Sequence, residues 1–190
     1  MARSVEFGRR YNVPIIVKST FTDNKGTVVK EKTMEEAIVS GVTYNDKEVK
    51  FTLFGVPDQP GIAGTVFGSL SEIGTNVDMI VQNVSKESIT DISFTAPSEQ
   101  QKDVEDALKN ISKQLDAKGY DVDENIARIS IIGAGMKSES GVASKMFKTL
   151  GDNKINISMI STSPIRVSCV ISSNDIEKAL NVLHEEFITN

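Results

Sequence analysis

Between Val49 and Leu70 the chain changes its hydrophobic period once. Val49, Phe51 and Leu53 alternate with Lys50 and Thr52, the period of a half-buried strand. Ile62, Ala63, Val66, Phe67 and Leu70 then fall on one apolar face at helical spacing. The two periods meet across Gly55-Val56-Pro57-Asp58-Gln59-Pro60-Gly61, so the stretch predicts strand, tight loop, helix. Its prolines stiffen the loop and its glycines let another molecule approach closely. Asp58 stands there beside the open amides of a helix N-terminus. Those amides favour a ligand carboxylate and Asp58 suits an ammonium, so the place fits a zwitterion such as a free amino acid. The plainer role for Asp58 is a cap on the helix.

The same pattern recurs. Phe51, Leu53 and Gly55 return as Ile129, Ile131 and Gly133, and the helix face returns as Val142, Ala143, Met146, Phe147 and Leu150. A predicted strand Asn76–Ile80 is matched by Asn156–Ile160, Thr90–Thr95 by Ile165–Val170, and the helix with Val104, Ala107, Leu108 and Ile111 by Ile176, Ala179, Leu180 and Leu183. Each copy reads β-α-β-β-α. The first continues to a strand near Tyr120-Asp121-Val122, which gives the ferredoxin-like βαββαβ order, an antiparallel sheet with both helices on one face. The second copy lacks that last strand, while the β-rich run Ala37–Tyr44 lies upstream with no partner. An open sheet edge is costly, so this run is expected to cross over and complete the second module, interleaving the two.

Ahead of the repeat, Arg3–Tyr11 predicts a short helix and Ile15–Val17 a short strand. A polar turn at Thr22–Lys25 then leads to Gly26–Val29. This opening is too short to bury a core alone, and the charged run Lys30–Glu36 links it to the β-rich run Ala37–Tyr44. Across 190 residues the net charge is -5 with scattered basic residues, which leaves no footprint for nucleic acid or an anionic membrane. No apolar run approaches the roughly 18 residues of a membrane span, and the first ten residues lack the apolar core of a signal peptide. A cytoplasmic location is expected. The single cysteine, Cys169, reads as strand core, and no thiol cluster exists to bind zinc. His184 reads as an exposed or half-packed helix residue. Gly133-Ala134-Gly135 lacks the spacing of a dinucleotide loop, and no nucleophile and base pair up. No catalytic residue, metal or cofactor is assigned to the chain.

The loop Gly55–Ala63, the run Val77–Ser85, Gly133–Ser138 leading to Gly141-Val142-Ala143, and Asn156–Ser163 with Ile165–Ser168 together resemble the tandem ACT domains of aspartate kinase. Arg3–Phe7, Tyr11–Pro14 and Ser19-Thr20-Phe21 are similar to the segment where that family's kinase domain ends. The resemblance implies an α+β chain of two ferredoxin-like ACT domains interleaved through an N-terminal strand. Residues 1–32 would be the kinase tail and linker, 49–124 the first ACT domain, and 33–46 with 126–190 the second. It implies effector contacts from Asp58, Pro60, Gly61, Ile62, Ala63 and Gln82, facing Asn156 and Ile157 of a second ACT domain. A second candidate effector site would take Asn76, Val77 and Asp78 with Met136, Lys137, Ser138, Gly141 and Val142. The loop of that site has no counterpart of Asp58, so an ammonium there needs Asp78 from the facing module, or Glu139; the site is expected to bind something else, or nothing.

In the family, the controlled reaction is transfer of the ATP γ-phosphoryl group to the side-chain carboxylate of aspartate, on the way to lysine, threonine and methionine. Lysine, threonine or both inhibit it. The catalytic half and its nucleotide motif are absent from these residues, so ATP and Mg are expected only in a kinase domain outside them. The chain is thus expected to be regulatory, as a small subunit starting at an internal methionine or a cut fragment. Its expected partners are an amino acid effector, a second copy in a homodimer, and a kinase-bearing large subunit. The competing reading is a structural assembly subunit with vestigial pockets. A free-standing enzyme is disfavoured, because no acid-base constellation is visible.

Overall fold

A computed structural model describes residues 2–22, 24–29, 38–84, 88–137, 139 and 141–189. The chain falls into two units, Met1–Ala37 and Ile38–Asn190. The first holds helix α1 (Ala2–Arg10) and an antiparallel hairpin of β1 (Ile15–Val17) and β2 (Thr27–Val29), with Ile15 opposite Val29. The helix and β1 are those expected there, and β2 falls within the Gly26–Val29 stretch after the polar turn. Val5, Phe7, Ile16 and Val17 stay exposed, since so short a segment has little to pack against within its own unit. The run Lys30–Glu36, like Ala37, lies outside the described residues.

The second unit begins with β3 (Gly41–Asn45), followed by β4 (Glu48–Pro57), α2 (Ile62–Glu72), β5 (Ile80–Val84), β6 (Ile89–Pro97), α3 (Gln101–Gln114) and β7 (Gly119–Asp123). From β4 onward these make the first module, an antiparallel sheet in the order β5-β6-β4-β7. The alternation that predicted β4 puts Val49, Phe51 and Leu53 on the face the helices cover, against Val66 and Leu70 of α2 and Val104, Leu108 and Ile111 of α3. Phe94 anchors this core: its ring stacks on Phe51 at 5.4 Å and meets Phe67 edge-on at 5.7 Å.

The second module continues with β8 (Ile126–Ile132), α4 (Val142–Asp152), β9 (Met159–Ser163), β10 (Arg166–Ser172) and α5 (Ile176–His184). Its sheet runs β3-β8-β10-β9, so β3 holds the place that β7 holds in the first. The upstream strand does cross over, starting at Gly41 where the sequence pattern begins at Ala37. Gly133 permits the crossing, because a Cβ there would stand 1.9 Å from the Ile38 carbonyl oxygen. Ile129, Ile131, Val167, Cys169 and Ile171 pack against Met146, Leu150, Ala179 and Leu183.

Two strand pairs run through both modules. β3 continues into β4 and β7 into β8, so the ladder that ends with Asn45 opposite Arg128 resumes with Lys50 opposite Asp123. Around this junction the helix-free faces of the two sheets meet. Met79 and Val81 of the first module join Ile126, Met159 and Val170 of the second in a small apolar cluster. Thr52, Thr95, Ser130 and Ser168 are buried on the same faces, and the Ser130 and Ser168 hydroxyls pair at 2.8 Å.

One prediction is corrected. The strands expected at Asn76–Ile80 and Asn156–Ile160 begin only at Ile80 and Met159. Val77 and Ile157 do turn toward the helix-covered cores while Met79 and Met159 turn to the junction. Side-chain alternation therefore starts before the continuous ladder. Asp78 N–H donates to the Thr95 carbonyl at 3.2 Å and Thr95 N–H to that of Met79 at 3.0 Å, and Ser158 N–H donates to the Val170 carbonyl at 2.8 Å, which guides each approach.

Candidate functional site

The loop after β4 is built mainly by its backbone. Gly55 N–H donates to Asp91 Oδ1 at 2.7 Å, beside an irregularity in the ladder between Leu53 and Val56. Asp58 N–H donates to the Ser88 carbonyl at 2.8 Å and Ile62 N–H to that of Gln59 at 3.3 Å. Gly61 starts α2 in the left-handed region, φ 95°, and no side chain caps the helix. The cap reading of Asp58 is thereby corrected: its half-buried carboxylate lies three residues ahead of the capping position and makes no cap bond. Gly141 starts α4 in the same way, φ 98°, again without a side-chain cap. A left-handed residue at that position is disfavoured for any side chain bearing a Cβ, which is why both copies use glycine. Each module thus presents an uncapped helix N-terminus, where backbone amides favour an anionic group.

Pro60, Gly61 and Ala63 are exposed, whereas Ile62 packs partly into the core. Gln82 is exposed on the edge strand β5, opposite Ile92. Asn156 is exposed and Ile157 packs into the second core, just ahead of β9. These residues do not come together within one chain. Asn156 and Ile157 lie beside Met159, at the junction, while the Asp58 loop lies at the far end of the ten-residue β4, about 30 Å of strand away. The second set is divided likewise. Asn76, Val77 and Asp78 are at the junction, but Met136, Gly141 and Val142 come after the far end of β8, about 20 Å along that strand. Lys137 belongs to the short turn of helix Ala134–Lys137, and Ser138 lies outside the described residues.

At the junction the structure assembles a cluster that the alternation did not announce. Arg128 of β8 is buried between two carboxylates of the first module, with Nη2 2.8 Å from Glu48 Oε1 and Nη1 paired with Asp78 Oδ2. Asn45 Nδ2 also donates to Glu48 Oε1, at 2.7 Å, whereas Glu48 Oε2 is buried without a hydrogen bond. Burial pushes the Glu48 carboxyl above the ordinary carboxylate range. The Arg128 guanidinium opposes this, Asp78 adds to it, and the nearby Thr95 hydroxyl and Asn45 amide oppose it. A cavity of about 370 Å³ opens beside the cluster, lined among others by Lys47, Asn76, Asp78 and Glu99. Sequence reasoning missed Glu48 and Arg128 because a charged residue in strand alternation reads as solvent-facing. Their signal was positional: both lie where one module gives way to the other.

Cys169 is buried and its thiol is pushed up to about 12 by burial, which makes it packing rather than a nucleophile. His184 is exposed, its Nδ1 3.3 Å from the Thr189 hydroxyl. Among the described residues no group of three or more His, Cys, Asp or Glu side chains is placed to hold a metal ion. No helix among them is long and apolar enough to cross a membrane.

Comparison with known proteins bears on both modules. Family models described as ACT domain match residues 51–116 and 129–187. The chain is 44% identical over 188 residues to an aspartate kinase of Pseudomonas fluorescens (strain SBW25), covering 97% of this chain and 46% of that protein. It thus spans about half the length of the curated relatives it matches. Among solved structures, the aspartokinase alpha and beta subunits share 38% identity with a TM-score of 0.74, over 78% of this chain and 98% of that one. The ligand-free regulatory subunit of aspartate kinase from Thermus thermophilus shares 35% identity with a TM-score of 0.75, over 79% of this chain and 99% of that one.

Proposed function

Since the chain belongs to the aspartate kinase family, as its regulatory region of two ACT domains, we propose that it binds lysine, threonine or both and thereby controls phosphorylation of aspartate by a kinase-bearing partner. We take residues 49–124 as one ACT domain and 33–46 with 126–190 as the other. The observation that carries the reading is the pair of uncapped, glycine-initiated helix N-termini, the first with Asp58 beside it. In the first site the effector carboxylate lies on the amides of Gly61 to Ala63 and its ammonium near Asp58. Gln82, with Asn156 and Ile157 of a facing module, reads the remainder. In the second, Met136 to Val142 face Asn76, Val77 and Asp78. Because each set is split between opposite ends of one chain, both sites are completed by a second copy, and the working form is a homodimer in the cytoplasm. A ligand bound between modules favours whichever arrangement closes the site, and a coupling of about 1–3 kcal/mol is enough for regulation.

The test is calorimetric titration of the chain with lysine and with threonine. Asp58→Ala is expected to weaken binding at the first site by about 1.5–3 kcal/mol, the worth of a hydrogen bond to a charged group, with the fold kept. Assembled with its kinase subunit, the variant is expected to retain activity and lose feedback inhibition. Binding of neither amino acid would favour a purely structural subunit instead.

A further inference from the structure

Asp78 has two claimants. At the second candidate site an effector's ammonium would need Asp78, or Glu139, yet the Asp78 carboxylate is paired with Arg128 of the other module. Arg128 is buried, so releasing Asp78 into the solvent side of the junction would strand part of a guanidinium away from water. Glu48 removes that difficulty. Arg128 Nη2 is already 2.8 Å from Glu48 Oε1, and the second carboxylate oxygen, Oε2, is buried with no hydrogen bond. Guanidinium and carboxylate pair best through two parallel bonds, and here one of the two is unmade. A vacant acceptor therefore stands on the residue that Arg128 already touches.

We propose that Arg128 is an exchangeable counter-ion for Asp78: a ligand's primary ammonium displaces it, and the freed guanidinium closes onto both oxygens of Glu48. The inference rests on the reading that the second site receives an ammonium at Asp78. Charge favours the exchange, because two carboxylates now share one cation and the ammonium supplies the second. Access favours it too. Asp78, Glu48 and Arg128 all line the 370 Å³ cavity, but the Asp78 side chain is 45% exposed whereas Glu48 and Arg128 are buried. Little backbone need move, since Asp78 N–H stays on the Thr95 carbonyl and only the side chain turns. The exchange removes one of two ion pairs that span the modules, Arg128–Asp78, and strengthens the other, Arg128–Glu48, beside the crossing of β3 into β4. Occupancy of the second site is thereby converted into a change in how the modules are tied.

Calorimetric titration with lysine and with threonine, on the parent and three variants, tests this. Asp78→Asn is expected to abolish binding at the second site; if it binds as the parent does, or if the parent binds neither amino acid, the reading of that site fails and the exchange with it. Glu48→Gln puts an amide donor where the vacant oxygen was. It is expected to weaken binding about tenfold without touching the ligand, through loss of one charge-assisted hydrogen bond. Arg128→Lys, whose point charge cannot fork between two carboxylates, is expected to loosen Asp78 and tighten binding about threefold. A merely structural cluster would weaken binding in both variants. Second-site loss in Asp78→Asn with parental affinity in Glu48→Gln, or with weaker binding in Arg128→Lys, overturns the exchange and leaves the site assignment standing. If Arg128→Lys does not fold, as judged by its urea transition, Glu48→Gln decides alone.

Discussion

Removing the guanidinium at position 128 measures what ties the modules together. Glu48 and Arg128 are 6% and 8% exposed, so Arg128→Met leaves the Glu48 carboxylate buried with no cation beside it. Breaking a buried pair by deleting one partner costs about 3–5 kcal/mol. The Asp78 half adds little, because its side chain is 45% exposed and water screens that pair. Burial already raises the Glu48 carboxyl, and losing Arg128 removes the main influence that opposes this, so easier proton uptake relieves part of the cost. That relief places the expected loss near the lower end, about 3 kcal/mol, a large share of the about 5–15 kcal/mol that holds a typical domain folded. Urea unfolding monitored by circular dichroism reads the loss as a lower midpoint at unchanged slope. Arg128→Met/Glu48→Met replaces the pair by apolar side chains and is expected to recover most of it. A single variant within about 0.5 kcal/mol of the parent, the usual range for an inconsequential surface change, would refute the reasoning. So would a double variant no more stable than the single one.

The pH dependence comes from Glu48. Its folded-state carboxyl is raised, so its stabilising contribution is full below the ordinary carboxylate value and is lost as pH rises through the folded value. Urea midpoints of the parent are therefore expected to fall across that window relative to those of Glu48→Gln; parallel profiles would contradict this. Gly141→Ala meets no atom within 4 Å but forces a Cβ onto φ 98°, so a loss of about 1–2 kcal/mol is expected in thermal melts. A loss that small leaves the fold intact, which makes the variant a clean probe of loop conformation in titrations. Light scattering of the isolated chain is expected to give a dimer; a monomer at tens of micromolar, with and without amino acids, would count against sites completed between copies.

Much of the fold is local and so was readable from residue order. The alternation at Val49–Leu53, the helical spacing from Ile62 to Leu70 and their return near Ile129 and Val142 reflect backbone periods that any buried face must obey. From these came the two modules, their helix-covered cores, and the crossing of a strand near Val42 into the second sheet. The glycines at positions 61 and 141 were visible too, although the sequence did not show that both adopt a left-handed backbone or that Asp58 is left out of the cap. Other features depend on what a face meets in three dimensions. Val77 and Met79 alternate like a strand, yet the ladder begins only at Ile80, because alternation records which way side chains turn and not which amides find partners. Arg128 and Glu48 carry charges that in sequence read as exposed. They are buried because the helix-free faces of two sheets close over them where β3 passes into β4 and β7 into β8. That closure joins residues about eighty positions apart, and hydrophobic periodicity, being a property of one segment at a time, holds no record of it.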